Sequence, residues 1–357
     1  MSSNAHTLTT ENDLPPEVRD RSAWYGADLV GRTDWIERLT DDETTEVETA
    51  VSDLENSTVD LASLTLDDVS LPTLGPRLTR FLDEVLHGRG FVLIKGLPIE
   101  GWTKQKTAIA FLAIGVHFGN LRMQNADGHV LGHVRDMGRS SDDPHTRIYQ
   151  TRERQTHHTD SCDVVSLLCL HSAKSVGWSN LVSSTTIFNE MRRRRPDLLK
   201  VLLDPIETDR RGEVPEGSKP YFNIPVFNYH DGLVSAIYQR QYIESARRFP
   251  GVEPLSAQQI EALDLLDQLA NDPRLNLMME LHPGDIQLVH NHTILHDRTA
   301  FEDYSEPERK RHLLRLWLSP RGARSLPEVY AERFGSTMPG DRGGVTVPGA
   351  RKIVPLD

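Results

Sequence analysis

Disulfide bonding is the first resource the chain lacks. Its 357 residues hold two cysteines, Cys162 and Cys169, too few for a disulfide framework and in keeping with a reducing cytosol. Both read as buried thiols. Basic charge is short as well: 40 Lys and Arg stand against 52 Asp and Glu, a formal net charge of −12. That balance argues against a surface that tracks a phosphate backbone, so nucleic acid is not an expected partner. No run reaches the ~18 apolar residues of a membrane span. The opening MSSNAHTLTTENDLPPEVRD has neither a basic n-region nor an apolar h-region, so the expectation is a cytoplasmic protein with no membrane partner. No internal repeat or low-complexity linker divides the chain.

What is present is periodicity. The polar, acidic opening, with DDETTEVE at 41–48, reads as a decorated arm rather than a core element. From Leu74 the pattern changes. Leu74, Leu78, Phe81, Leu82, Val85 and Leu86 recur at helical spacing and stop at Gly88, after which GFVLIKG reads as a buried strand. A second helix is expected over 103–115, then loops and short strands over 115–135, and VVSLLCL as another buried strand. Residues 185–204 read as a helix whose arginines 192–195 form a solvated last turn, favoured there by the helix dipole. Ser256 and Gln259 form a capping-box pattern ahead of Ile260, Leu263, Leu266 and Leu269, an amphipathic helix reaching Asn271. HPGDIQLVHNHTILH reads as a turn and then extended chain, and RHLLRLWL at 311–318 as a strand.

QTHHTDSCDV, residues 155–164, raises the question of a metal. Of fifteen histidines only His158 begins an H-x-D triplet. On a strand or at its mouth, residues two apart point to one face, so His158 and Asp160 can reach one ion. A non-haem Fe(II) centre needs one further histidine and leaves its remaining positions to a cosubstrate and dioxygen. His290, His292 and His296 share strand parity, so periodicity leaves all three open as the third ligand. His157 reads as a pocket-wall or capping residue. On the 311–318 strand, Arg311, Leu313, Arg315 and Trp317 share one face, and His312, Leu314, Leu316 and Leu318 the other. Two inward arginines are costly unless they meet anions, and a dicarboxylate is a natural partner. Four strand residues span roughly 13 Å, so the two guanidiniums do not share one carboxylate from the same depth. Arg315 is left with two readings, a place nearer the metal end or the substrate, or an internal ion pair.

In order along the chain come His158-Thr159-Asp160, Pro283-Gly284-Asp285, Asn291 with His296 five residues on, Arg298, and Arg311 with Arg315. This series resembles the taurine dioxygenase family of Fe(II)- and 2-oxoglutarate-dependent oxygenases over about residues 78–320. The resemblance implies His158, Asp160 and His296 as metal ligands and catalytic centre, and Arg311 as the residue binding the distal carboxylate of 2-oxoglutarate. Arg315 and Ser179, the latter in SVGWSN, are further cosubstrate candidates. It implies an α+β fold with a double-stranded β-helix, a jelly-roll core flanked by helices. Residues 1–70 would be a polar arm packing on an oxygenase domain of 71–357.

The implied chemistry is oxygenation, most simply hydroxylation, of an unactivated C–H bond with release of succinate and CO2. Desaturation and ring formation stay open. Retention of Asp160 argues against halogenation, because related halogenases lack that carboxylate. Expected partners are a small or medium-sized organic substrate from specialised metabolism and dioxygen; a homo-oligomer is left open. Gln124, Asn125 and His133 are substrate-wall candidates. Two rivals are a jelly-roll protein holding a structural metal through four protein ligands, and a cupin-type dioxygenase that does not use 2-oxoglutarate.

Overall fold

Strands whose residues alternate between two apolar environments pair here into two main sheets, with three two-stranded ribbons beside them among the described residues. The computed structural model describes residues 14–140 and 147–356. In its larger sheet the spatial order is Ile36–Arg38, Phe91–Lys95, Ile286–His290, Val164–His171, His312–Ser319 and Asn120–Arg122, with Leu131–Arg135 also paired to His312–Ser319. The smaller sheet runs Asn276–Met279, Ser179–Ser183, Ile294–Arg298 and Gln155–His158. Phe91, Leu93, Val165, Cys169 and Val289 of the first meet Leu181, Leu277 and Ile294 of the second in a shared core. This is the double-stranded β-helix, and its mouth holds the residues considered below.

The outer face of the larger sheet is equally buried, which is why its strands read as unbroken apolar runs. Leu314, Leu316 and Leu318 pack with Leu168 and Leu288 under the helices Leu74–His87 and Lys104–Gly115. Each such leucine contributes about 1.5–3 kcal/mol when fully withdrawn from water. The approach is close: a Cβ on Gly115 would lie 2.4 Å from Leu316 Cδ1. Behind the smaller sheet, Val182 and Leu295 pack under Ser184–Arg194 and Ala257–Ala270. The latter opens with the capping box of Ser256 and Gln259.

Two expectations change. The acidic opening is not a decorated arm. Asp41, Asp42 and Glu43 occupy the first turn of the helix Asp41–Glu55, where the dipole favours negative charge, and Val47, Ala50, Val51 and Leu54 enter the main core. Residues 1–13 of that arm lie outside the described residues. The 185–204 helix is two, Ser184–Arg194 and Pro196–Leu202. Proline at the second helix's first position disfavours helical backbone at Arg195, which ends the first. The arginines are surface charges as expected: Arg193 and Arg194 pair with Glu190, and Arg195 with Asp197 and Glu261.

Candidate metal centre and substrate cavity

His158 ends the Gln155–His158 strand and lies directly opposite His296 of the antiparallel Ile294–Arg298 strand. The next pair is Arg298 with Gln155, so Thr156 and His157 together face Asp297 alone. Such a bulge turns a strand locally and re-aims its side chains. The two imidazole centroids come to 4.2 Å. Asp160 follows on a turn braced from both sides. The Thr159 N–H donates to Tyr238 O at 2.8 Å, the Tyr238 N–H returns to Thr159 Oγ1 at 3.0 Å, and the Asp160 N–H donates to Asn291 Oδ1 at 3.0 Å. Ligand-capable atoms of His158, Asp160 and His296 all lie within 4.8 Å of one another, the one such group among the described residues.

Their protonation states suit a divalent cation. The His158 ring donates to Thr156 O through Nδ1 at 2.9 Å, and its Nε2 accepts from Gln155 Nε2 at 2.8 Å and lies 3.9 Å from Asp160 Oδ1. Burial pushes His158 below the usual imidazole range, although Asp160 pulls the other way. Burial, and then the His158 charge, push His296 down to about 3. For Asp160 burial alone would raise the carboxyl, but Arg315, His296, His158 and the Trp317 hydrogen bond outweigh it and hold it low. Two neutral imidazoles and one ionised carboxylate are the forms that coordinate a metal.

The other histidines are elsewhere. A turn at 291–293 sends Ile286–His290 and Ile294–Arg298 into different sheets, so strand parity does not run through from 290 to 296. His290 bonds Thr293, and His292 bonds Asp163 at 2.8 Å. His157 is buried, 3.8 Å from Asp297.

Two cavities meet at His158, Gln155, Tyr149 and Arg315. The smaller is lined by His296, Ser179, Arg298 and Arg311. Arg311 is 5% exposed, and its Nη1 has no hydrogen-bond partner; burial lowers its pKa to about 10. The Ser179 hydroxyl faces the same space and bonds Gln287 at 3.1 Å. The larger cavity, ≈ 340 Å³, is lined by His158, Asp160, Trp317, Gln124 and Asn125 among others. Gln124 accepts from Arg315 Nε at 2.7 Å and donates to Arg315 O at 2.8 Å. Asn125 closes its own loop onto His129. His133 is a correction: it lines neither cavity. It pairs in register with Leu314, on the face opposite the site, and bonds His312 at 2.8 Å and Pro355 O. Arg147, Arg211, Arg333 and Tyr242, also on the larger cavity's wall, were not anticipated; they come from separate segments with no local pattern to join them.

Residues 55–317 match the family described as Taurine catabolism dioxygenase TauD, TfdA family. The chain belongs to this family. It is therefore a 2-oxoglutarate-dependent non-haem iron dioxygenase, and the structural-metal and cupin-type rivals fall away. The FR-33289 synthase of Streptomyces rubellomurinus is 30% identical to this TauD/TfdA dioxygenase over 327 residues, covering 90% of this chain and 96% of its own. Taurine hydroxylase-like protein SAT17 of Stachybotrys chartarum is 31% identical over 314 residues, covering 85% and 80%. An asparagine oxygenase solved with Fe(II), 3-hydroxyasparagine and succinate shares the dioxygenase's fold, with a TM-score of 0.61 at 17% identity over 80% of this chain and 93% of that one. Among the described residues, no helix of the dioxygenase is long and apolar enough to cross a membrane.

Proposed function

We propose that this dioxygenase hydroxylates an unactivated C–H bond of a small or medium-sized substrate of specialised metabolism, with His158, Asp160 and His296 holding Fe(II) and Arg311 holding the distal carboxylate of 2-oxoglutarate. The observation that carries the reading is the three-residue cluster beside a cavity lined by Arg311, whose buried Nη1 has no hydrogen-bond partner. The fit is chemical: two neutral imidazoles and a carboxylate leave room for a chelating cosubstrate, and an unpaired buried guanidinium suits its far end. When bound, iron with 2-oxoglutarate and dioxygen supplies the oxidising power for hydroxylation, with release of succinate and CO2.

The residues bind and orient. Arg311 would fix the length and direction of the cosubstrate, with Ser179 beside it. Arg315 and Trp317 hold the Asp160 carboxylate in one orientation. The larger cavity, opening on His158 and Asp160, would take the substrate. Likeness to an FR-33289 synthase and a taurine hydroxylase-like protein supports a small-molecule substrate in specialised metabolism.

The test is anaerobic titration of the protein with Fe(II) and 2-oxoglutarate, following the weak visible charge-transfer band of the chelate. The expected result is a band in the wild type and, in Arg311→Ala, one that needs about 10- to 100-fold more 2-oxoglutarate, the scale of a lost charge-assisted hydrogen bond. Bound iron with no band at any 2-oxoglutarate concentration would overturn the assignment.

A further inference from the structure

Gln124 lines the larger cavity, yet its carboxamide is taken up by the protein itself. Oε1 accepts from Arg315 Nε at 2.7 Å, and Nε2 donates to Arg315 O at 2.8 Å and to Val130 O at 3.0 Å. This orientation of the amide is forced, because a guanidinium N–H only donates and a carbonyl oxygen only accepts. One buried side chain therefore grips Arg315 at both its backbone and its guanidinium. From there the contact passes to the cluster: Arg315 Nη1 lies 3.1 Å from Asp160 Oδ2 and 3.4 Å from Oδ1. The guanidinium is a rigid planar fork, so fixing Nε fixes where Nη1 can point.

The sequence makes room for this grip. Gly132 pairs in register with Arg315 between the strands Leu131–Arg135 and His312–Ser319, and a Cβ there would lie 2.5 Å from Gln124 Oε1. Glycine inside a strand weakens it and marks a close approach. Its φ is not left-handed, so what the residue supplies is space. The chain's tail holds both ends of the arrangement: the Gly344 N–H donates to Ser161 O at 2.7 Å, and the next N–H, that of Val345, to Met123 O at 2.8 Å. Consecutive tail residues thus fix the neighbour of Asp160 and the neighbour of Gln124.

We propose that Gln124 is a positioning residue for the Asp160 carboxylate: seated against Gly132, it fixes the Arg315 guanidinium, which in turn fixes how the carboxylate is presented to the metal. Its part is to set a ligand at one remove, not to touch substrate. The backbone N–H of Gln124 separately closes the 124–129 loop on His129 O at 2.8 Å, a structural role that a change of side chain leaves in place. The proposal rests on Asp160 being a metal ligand of the dioxygenase.

The experiment is anaerobic calorimetric titration with Fe(II) of the full-length wild type, Gln124→Leu, Gly132→Ala, Arg315→Gln and the double variant Gln124→Leu with Arg315→Gln, each checked for fold by far-UV circular dichroism. The wild type is read first: absence of Fe(II) binding there sinks the metal assignment and the proposal together, whereas every later outcome bears on the proposal alone. Gln124→Leu and Gly132→Ala should each weaken Fe(II) binding about tenfold, the lower end of what losing an outer partner of a ligand costs. Gly132→Ala moves the amide without removing it, so it decides the matter if the leucine variant does not fold. In the Arg315→Gln background, Gln124→Leu should add less than about a twofold further loss, because two residues acting in series do not add; a merely structural role would add in full. Unchanged Fe(II) affinity in either folded single variant, or an additive loss in the double variant, would overturn the proposal.

Discussion

Arg315 Nη1 lies 3.1 Å from Asp160 Oδ2, and Trp317 Nε1 donates to the same oxygen at 2.9 Å. The arginine and aspartate side chains are 8% and 9% exposed, and Gln124 anchors the guanidinium from behind. Of the two readings left open for Arg315, the ion pair is the one observed, and its partner is Asp160, the carboxylate proposed as a metal ligand. Asp160 Oδ1 and Oδ2 each stay 3.9 Å from one histidine Nε2, so the pair orients the carboxylate without blocking it from the imidazoles.

Arg315→Gln should therefore weaken metal binding about 10- to 100-fold, the usual cost of losing a partner that orients a ligand. Anaerobic Fe(II) titration measures it, with far-UV circular dichroism showing that the fold persists. Unchanged Fe(II) affinity in a folded variant would remove Arg315 from the metal's support.

Much of this was legible in the sequence because it is local. The heptad-like leucines of 74–86 and the capping box at Ser256 needed only their neighbours, and the H-x-D triplet needed two residues on one face. The offset from Asn291 to His296 was legible too, but its reason was not. Asn291 Oδ1 accepts the Asp160 N–H across 131 positions of chain, a contact that exists only after two sheets have closed. His133 was misplaced because its face depends on its register with Leu314, which no single strand's pattern reveals. The acidic run at 41–43 looked like solvated chain because a helix start and a disordered arm share that composition.

Gly177 lies close against Arg311 and leaves little room for a side chain. Its φ is +72, and a Cβ there would sit 3.1 Å from Arg311 Nε and 3.2 Å from Cδ. Gly177→Ala should raise the 2-oxoglutarate requirement about tenfold by displacing the guanidinium, while Fe(II) affinity holds. Gly138→Ala is the control, with a similar φ of +69 and nothing within 4 Å. The same loss in both variants would assign the effect to backbone strain rather than to the arginine.

His312 gives the folded state a pH dependence away from the cluster of His158, Asp160 and His296. Burial, then the neighbouring His133 and Arg135 charges, push it down to about 3, and its ring bonds that of His133 at 2.8 Å. In the unfolded chain an imidazole titrates near 6.5. Above that pH both states are neutral. As pH falls from 6.5 towards 3 the unfolded chain takes up a proton that the folded one refuses, so stability falls, by about 1.4 kcal/mol per pH unit for each such proton. Urea unfolding at pH 7.5, 6.5 and 5.5 should show that decline, and His312→Gln should make it shallower. An identical slope in the variant would mean that His312 accepts its proton without unfolding.

Arg342 and Asp163 tie the C-terminal segment to the back of the His158–Asp160 turn. Neither side chain is exposed, and the guanidinium meets Asp163 through Nη2 at 2.7 Å and Nε at 2.9 Å. Its remaining donors go to Thr337 O and Arg324 O. Asp163 also takes bonds from His292 and Ser319, so its ionised form is the one the site is built around; burial would raise its pKa, but His292 and Arg342 hold it low. Removing the cation strands that charge. Arg342→Met should cost about 3–5 kcal/mol in urea unfolding, whereas the double variant Asp163→Asn with Arg342→Met should recover part of the loss, because a neutral amide demands no counter-charge. Additive losses in the double variant would mean that the arginine acts through its carbonyl bonds to the tail alone, and that Asp163 is held by His292 without it.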